Sequence, residues 1–225
     1  MNIALILASG TGSRMDQKCA KQFLEINGIP LFLYATKTFQ NNELINQIVL
    51  VTNEDHIDDV KKICEAANIS KLAKVVAGGE TRKDSVCNGL KAISAKDNDI
   101  IVIHDAARAL VTNDIISNNI KACEKYNAVV TAIPATDTVV FGKNNAISSM
   151  PNRSELYLEQ TPQTFKYKII KHAHEQNTGN LEVTDDCKLV FQLGIPIHFV
   201  EGSRRNFKVT YKEDIEVLSA YLTED

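Results

Sequence analysis

Apolar positions fall along the chain in two alternating rhythms. Short aliphatic and β-branched runs, Ile3 to Leu7, Gln47 to Thr52, Lys74 to Ala77, Ile100 to Ile103, Val129 to Ile133 and Ile197 to Val200, predict strands. Between them, Val60, Ile63, Cys64 and Ala67 recur at i, i+3, i+4 and i+7, the stripe of a helix laid on a sheet, and Val86, Leu90 and Ile93 do much the same. Strands that are apolar on both faces and joined by helices imply an α/β fold with a mainly parallel sheet and right-handed crossovers. Ligands of such sheets gather outside the carboxyl ends of the strands, where the loop after Leu7 and Asp105 both fall.

One stretch departs from this alternation. Thr138-Val139-Val140-Phe141 and Ala146-Ile147-Ser148 flank Gly142-Lys143-Asn144-Asn145, a hairpin signal. An isolated hairpin has too little core to be stable alone, so it packs either on a second subunit or back on its own domain.

Composition narrows the setting. At 225 residues, 44% hydrophobic and with 5 prolines, the chain can bury a full core as one domain spanning 1–225, and neither a low-complexity linker nor an internal repeat divides it. A net charge of −3 argues against broad nucleic-acid binding, so Lys and Arg are expected to serve local sites. No apolar run approaches the ~18 residues of a membrane span. Met1-Asn2 leads straight into a strand without a signal-peptide pattern. The cysteines at 19, 64, 87, 123 and 187 are odd in number and never spaced C-x-x-C, so no disulfide framework or zinc site is indicated and a reduced cytoplasm is expected.

The chemistry concentrates in loops. Ala8-Ser9-Gly10-Thr11-Gly12-Ser13-Arg14 continues through Lys21-Gln22, and its small residues let several N–H groups converge on one anion while Arg14 and Lys21 bring two mobile cations. The segment fits a polyphosphate cradle or an ordinary glycine-containing turn. It has no Walker A spacing, and Met15 stands where a dinucleotide fingerprint needs a third glycine. In Gly78-Gly79-Glu80-Thr81-Arg82-Lys83-Asp84-Ser85, close backbone approach and a helix-start hydroxyl suit either a base and ribose or simple capping. Asp105, directly after a buried strand, suits a Mg²⁺ ligand beside phosphates. Arg108 can pair with Asp105 or hold a substrate phosphate, and His104, on the opposite strand face, reads as packing.

Taken in order, these motifs resemble the 2-C-methyl-D-erythritol 4-phosphate cytidylyltransferase family, together with its relatives that make CDP-ribitol. The resemblance also covers Ser85-Val86, Asn88-Gly89-Leu90, His104-Asp105-Ala106-Ala107-Arg108, Asp137-Thr138, Gln160-Thr161-Pro162-Gln163, Thr184-Asp185-Asp186 and Asn206-Phe207-Lys208-Val209-Thr210. It implies a three-layer, Rossmann-like nucleotidyltransferase fold with a twisted sheet and a projecting β-arm at about 137–157 that is exchanged in a homodimer. The reaction it implies is attack of a polyol phosphate on the α-phosphorus of CTP, releasing pyrophosphate, with methylerythritol 4-phosphate as the first acceptor and ribitol 5-phosphate as the alternative.

The same resemblance assigns roles. Arg14 and Lys21 would stabilise the transition state, and Mg²⁺ on Asp105 would bridge the phosphates. Ala8, Ser9, Gly10, Thr11, Gly12, Gly79, Glu80, Ser85 and Ala107 would hold the nucleotide. Asp105, Arg108, Thr161, Thr184 and Lys208, with Thr138 and Arg153 from the partner's arm, would meet the acceptor. Departures from the family pattern stand at Asp16, Ala20 and Ala109, while Val140 and Leu156-Tyr157 lean toward the ribitol relatives. An NAD(P)-dependent oxidoreductase or a noncatalytic nucleotide-binding protein would share the fold; the first lacks its acidic ribose partner, and the second leaves charges spread over five loops without a purpose.

Overall fold

The computed structural model describes residues 1–10, 21–177 and 185–224, except for the side chains of Lys21 and Glu224. A seven-stranded sheet forms its centre. Its strands are β1 (Asn2–Leu7), β4 (Gln47–Thr52), β5 (Leu72–Ala77), β6 (Ile100–Asp105), β7 (Ala128–Pro134), β10 (Tyr157–Lys166) and β11 (His198–Glu201), in the spatial order β11-β7-β10-β6-β1-β4-β5. Every neighbouring pair is parallel except the two that β10 makes, which are antiparallel. Two short ladders complete the strands: β2 (Glu25–Ile26) with β3 (Ile29–Pro30), and β8 (Phe141–Lys143) with β9 (Ala146–Ser149).

The period-two alternation within strands divides the core between the faces of the sheet. Ala4, Ile6, Ile48, Leu50 and Val102 point to one side, where α1 (Leu31–Asn41), α2 (Ile57–Ala66) and α4 (Asn113–Tyr126) bring Phe32, Phe39, Val60, Cys64, Ile116 and Ile120. Ile3, Leu5, Val49, Val51, Ile101 and Ile103 point to the other, against Val86 and Leu90 of α3 (Arg82–Ala92), Ile170 of α5 (Tyr167–Gln176) and Val190 of α6 (Asp186–Gln192). These are the three layers expected of the fold. A smaller cluster joins Leu31, Ala109 and Val209 to Leu218 on α7 (Glu213–Glu224).

Local sequence sets the helix ends. The Thr112 hydroxyl accepts the Ile115 N–H to start α4, and Asn127 in the left-handed region, at φ 68°, ends it. Thr81 and Asp84 form a reciprocal capping box on α3.

The polar strand β10 carries no apolar rhythm, yet residues 160–165 are buried in the middle of the sheet. Its register shifts between Glu159 and Gln163, around the cis Thr161–Pro162 peptide. Buried hydrogen bonds replace apolar packing there: Thr131 Oγ1 donates to the Pro162 carbonyl (2.8 Å), Thr164 Oγ1 to Asn119 Oδ1 (3.4 Å) and the Asp186 N–H to Gln163 Oε1 (3.1 Å).

The hairpin forms with a tighter turn than the sequence suggests. Asn144 and Asn145 occupy its tip at φ 52° and 61°, the left-handed pair of a type I′ turn. Residues 136–150 are exposed throughout, so the hairpin does not fold back into the core of its own chain. Among the described residues, no helix is long and apolar enough to cross a membrane.

Candidate active site

Backbone bonds draw four strand ends together at the carboxyl edge of the sheet. The N–H of Ala8 donates to Val51 O (2.7 Å), that of Gly78 to Thr52 O (2.7 Å) and that of Ala106 to Leu7 O (3.0 Å). The loops after β1, β4, β5 and β6 thereby enclose a pocket of ≈ 460 Å³. The chain after β11 closes its rim with Lys208 and Thr210, tied down by the bond from Val209 N–H to Ala107 O (2.9 Å). A cavity of this size accepts a small molecule.

One wall is built from small residues. Ser9 and Ser85 hydroxyls lie 2.9 Å apart, and Ser85 Oγ also accepts the Gly79 N–H at 3.1 Å. A Cβ on Gly78 would lie 2.6 Å from Ser9 Cβ and 2.9 Å from Ser85 Oγ, so only glycine allows this approach. The segment does cap α3, but through Thr81 and Asp84, which leaves the Ser85 hydroxyl on the pocket wall.

Charge dominates the floor. Asp105 Oδ2 accepts Lys208 Nζ at 2.7 Å, and Oδ1 lies 3.4 Å from Arg82 Nε. Burial alone would raise the carboxyl's pKa, but the Arg82 and Lys208 charges outweigh it and hold Asp105 well below the usual carboxylate range. Arg82 continues inward, its Nη1 2.6 Å from Asp186 Oδ2, while Asp186 Oδ1 lies 2.9 Å from His174 Nε2. Burial opposes the Arg82 charge, and the two carboxylates together push its pKa above the ordinary arginine value. Asp186 is fully buried, so Arg82 supplies the countercharge that makes it tolerable.

The pairing of Arg108 with Asp105 is corrected. Arg108 Nη1 donates instead to Asn206 O (2.8 Å) and Nη2 to Glu159 O (3.5 Å), and its buried Nε has no partner among the described residues. Asp105 already meets two closer cations, and the Asn206 carbonyl holds the Arg108 fork. His104 is wholly buried against Phe39, ring centroids 5.2 Å apart, in agreement with its reading as packing.

The comparisons with known proteins decide the family. The family model described as 2-C-methyl-D-erythritol 4-phosphate cytidylyltransferase (IspD) matches residues 2–224. The chain belongs to this family. It is 42% identical over 216 residues to the enzyme of that name from Clostridium botulinum strain Langeland, covering 95% of this chain and 94% of that one. It is 40% identical over 215 residues to the Clostridium perfringens SM101 protein of the same name, covering 95% of each. The crystal structure of 4-diphosphocytidyl-2C-methyl-D-erythritol synthase from Anaerococcus prevotii DSM 20548 superposes with a TM-score of 0.87 at 30% identity, over 99% of this chain and 96% of that one.

Of the residues that the family resemblance singles out, Ala8, Ser9, Gly10, Gly79, Glu80, Ser85, Asp105, Ala107 and Lys208 all line the one pocket. Thr161 lies just behind it, buried, with Asp105 N–H donating to its hydroxyl. Thr138 and Arg153 lie on or beside the hairpin, outside the lining, and Arg153 Nη1 donates to Thr136 O at 3.2 Å. Thr11, Gly12, Arg14, Thr184 and the Lys21 side chain fall outside the described residues, as do Asp16 and Ala20.

Gln22, Arg82 and Asp186 fall within motifs that the sequence singles out but gives no role, and Asn53 carries no such signal. Gln22 and Asn53 line the pocket, and among the described residues the buried Gln22 Nε2 has no partner. Arg82 had a readable signal, because a carboxylate predicted at the end of a buried strand requires a nearby cation. Away from the pocket, the potential ligand atoms of Glu159, Asp185 and Cys187 cluster within 4.8 Å. Burial and the neighbouring carboxylates push the Cys187 thiol far above its ordinary pKa.

Proposed function

We propose that the chain transfers the cytidylyl group of CTP to the phosphate of 2-C-methyl-D-erythritol 4-phosphate. A phosphate oxygen of the acceptor forms a bond to the α-phosphorus of CTP, the bond from that phosphorus to the β-phosphate bridge breaks, and pyrophosphate leaves. The observation that carries this reading is the convergence of Asp105, Lys208, Ser85 and the Ser9-Gly10 turn on one pocket in a chain of this family.

In-line displacement needs positioning and neutralised charge more than covalent chemistry. The Ser9-Gly10 turn and Ser85 offer hydroxyl and backbone groups to the nucleotide, and Gly79 and Glu80 stand where a base or ribose edge would lie. Lys208 lines the pocket where the acceptor phosphate would bind; Arg108 does not line it, and its assignment to the same phosphate rests on the family resemblance. Arg14 and Lys21 stabilise charge at the α-phosphorus.

Asp105 suits Mg²⁺. It is an ionised carboxylate at the pocket floor, and each oxygen keeps lone pairs beyond its contact with Arg82 or Lys208. Magnesium is held by one or two carboxylates with phosphate and water completing its shell, and it would neutralise phosphate charge here.

The active form is a homodimer whose arms carry Thr138 and Arg153 to the partner's pocket. Val139, Val140, Phe141, Ile147 and Met150 are all exposed on a hairpin without a core of its own, an apolar load suited to a partner surface. The four described cysteines are free thiols, as a reducing cytoplasm would keep them.

The test is pyrophosphate release from CTP with methylerythritol 4-phosphate, ribitol 5-phosphate and glycerol 3-phosphate compared side by side. Turnover should be fastest with methylerythritol 4-phosphate. Activity with ribitol 5-phosphate alone would transfer the chain to the alternative acceptor.

A further inference from the structure

We infer that His104 is a positioning residue whose Nε2–H tautomer couples Asp105, Thr161 and Arg108 into a single acceptor-facing unit. This inference rests on the cytidylyltransferase reading. It begins from hydrogen-bond polarity. His104 Nε2 lies 3.2 Å from the carbonyl oxygen of Arg108, which can only accept, so Nε2 carries the proton. Nδ1 is then an acceptor, and the Thr161 hydroxyl, 3.0 Å away, donates to it. With its single proton committed to the ring, Thr161 Oγ1 accepts the Asp105 N–H at 3.1 Å. The bonds run in one direction, from Asp105 N–H through Thr161 to His104 and on to Arg108, and each polarises the next.

Two consequences follow from this polarity. Thr161 has no proton left for an acceptor phosphate, so it serves the reaction through the main chain of Asp105 and not as a phosphate donor. One ring also fixes both ends of the Asp105–Arg108 turn. The same turn is gripped from outside, because Asn206 Nδ2 donates to Thr161 O (2.9 Å) and Asn206 O accepts from Arg108 Nη1 (2.8 Å). The ring is wholly buried against Phe39, with centroids 5.2 Å apart, which holds it in this orientation. Ser9, Gly79 and Ser85 sit on other elements, and disturbing His104 should spare them.

The experiment compares His104→Phe, His104→Gln and His104→Asn with Thr161→Val, each in steady-state turnover with both substrates varied. The Gln amide can reproduce the Nε2 donor and the Asn side chain the Nδ1 acceptor, whereas Phe keeps only the volume. His104→Phe should raise KM for the polyol phosphate about 10-fold or more and leave KM for CTP within about 3-fold, a split that simple loss of stability does not produce. Gln and Asn should each recover part of the loss. Thr161→Val should share the signature, and adding it to His104→Phe should cost little more, because both break one chain of bonds. An unchanged KM for the polyol phosphate, or effects that multiply in the double variant, would overturn the inference.

Should His104→Phe fail to fold, Thr161→Val and His104→Gln carry the same comparison. Amide hydrogen exchange at residues 105–109 supplies a readout independent of turnover. Faster exchange there in the His104 variants supports the coupling, and unchanged protection contradicts it. A wild-type chain that releases no pyrophosphate would instead defeat the functional reading.

Discussion

Lys208 Nζ and Asp105 Oδ2 meet at 2.7 Å across the pocket floor, although 103 positions separate them in the chain. On the proposed reading, the contact stores a cation where the anionic acceptor would arrive. An incoming phosphate would then compete with Asp105 for Lys208, and the pair would hold the site charged and shaped before substrate binds. Replacing Lys208 with Met should raise KM for the polyol phosphate and reduce kcat about 10²-fold, in line with loss of a preorganised electrostatic partner. Steady-state pyrophosphate release checks both constants. A change confined to CTP would place Lys208 elsewhere in the reaction.

Arg82 separates two buried carboxylates, Asp105 and Asp186, that would otherwise repel across the back of the pocket. Arg82→Met should therefore destabilise the fold by about 3–5 kcal/mol, the cost typical of breaking a buried ion pair from one side. Asp186→Asn in the same chain should restore part of that loss by removing one uncompensated charge. Urea unfolding of the single and double variants measures the coupling.

His104 makes stability depend on pH in a defined direction. Its folded pKa of about 4 lies below the ordinary histidine value of 6.5, so the unfolded chain binds the proton more readily. Stability from this group is complete above about pH 6.5, falls as pH drops toward 4 and levels off below, a loss on the order of 3 kcal/mol. His104→Gln should flatten the urea midpoint across that window relative to wild type.

The hairpin makes a prediction about assembly. Arg153→Ala should chiefly raise KM for the polyol phosphate, and mixing that chain with an Arg14→Ala chain should recover some activity, since each heterodimer then holds one intact site. The measurement is turnover of purified heterodimers. No recovery would mean that each chain supplies its own Arg153 and Arg14.

Most of the sheet was legible because its strands are buried on both faces: Ile3 to Leu7 and Ile100 to Ile103 advertise themselves by composition. β10 was not legible. Its Gln160, Thr161, Gln163 and Thr164 are buried through hydrogen bonds to Asn206, His104, Asp186 and Asn119, partners far away in sequence that no periodicity reveals. The pocket was legible at Ser9, Gly79 and Asp105, where loop chemistry is local. The partners of the charges were not: Asp105 takes Arg82 and Lys208, while Arg108, the neighbour in sequence, turns to Asn206. Proximity along the chain suggested an ion pair that does not form, because the Arg108 guanidinium donates to the carbonyls of Asn206 and Glu159 instead.

The most direct test follows the oxygen atoms. With ¹⁸O in the phosphate of methylerythritol 4-phosphate and unlabelled CTP, attack at the α-phosphorus predicts a CDP-alcohol that carries the label in its diphosphate and pyrophosphate that carries none, both read by mass spectrometry. Label in the pyrophosphate, or consumption of CTP that does not depend on the acceptor, would contradict the account.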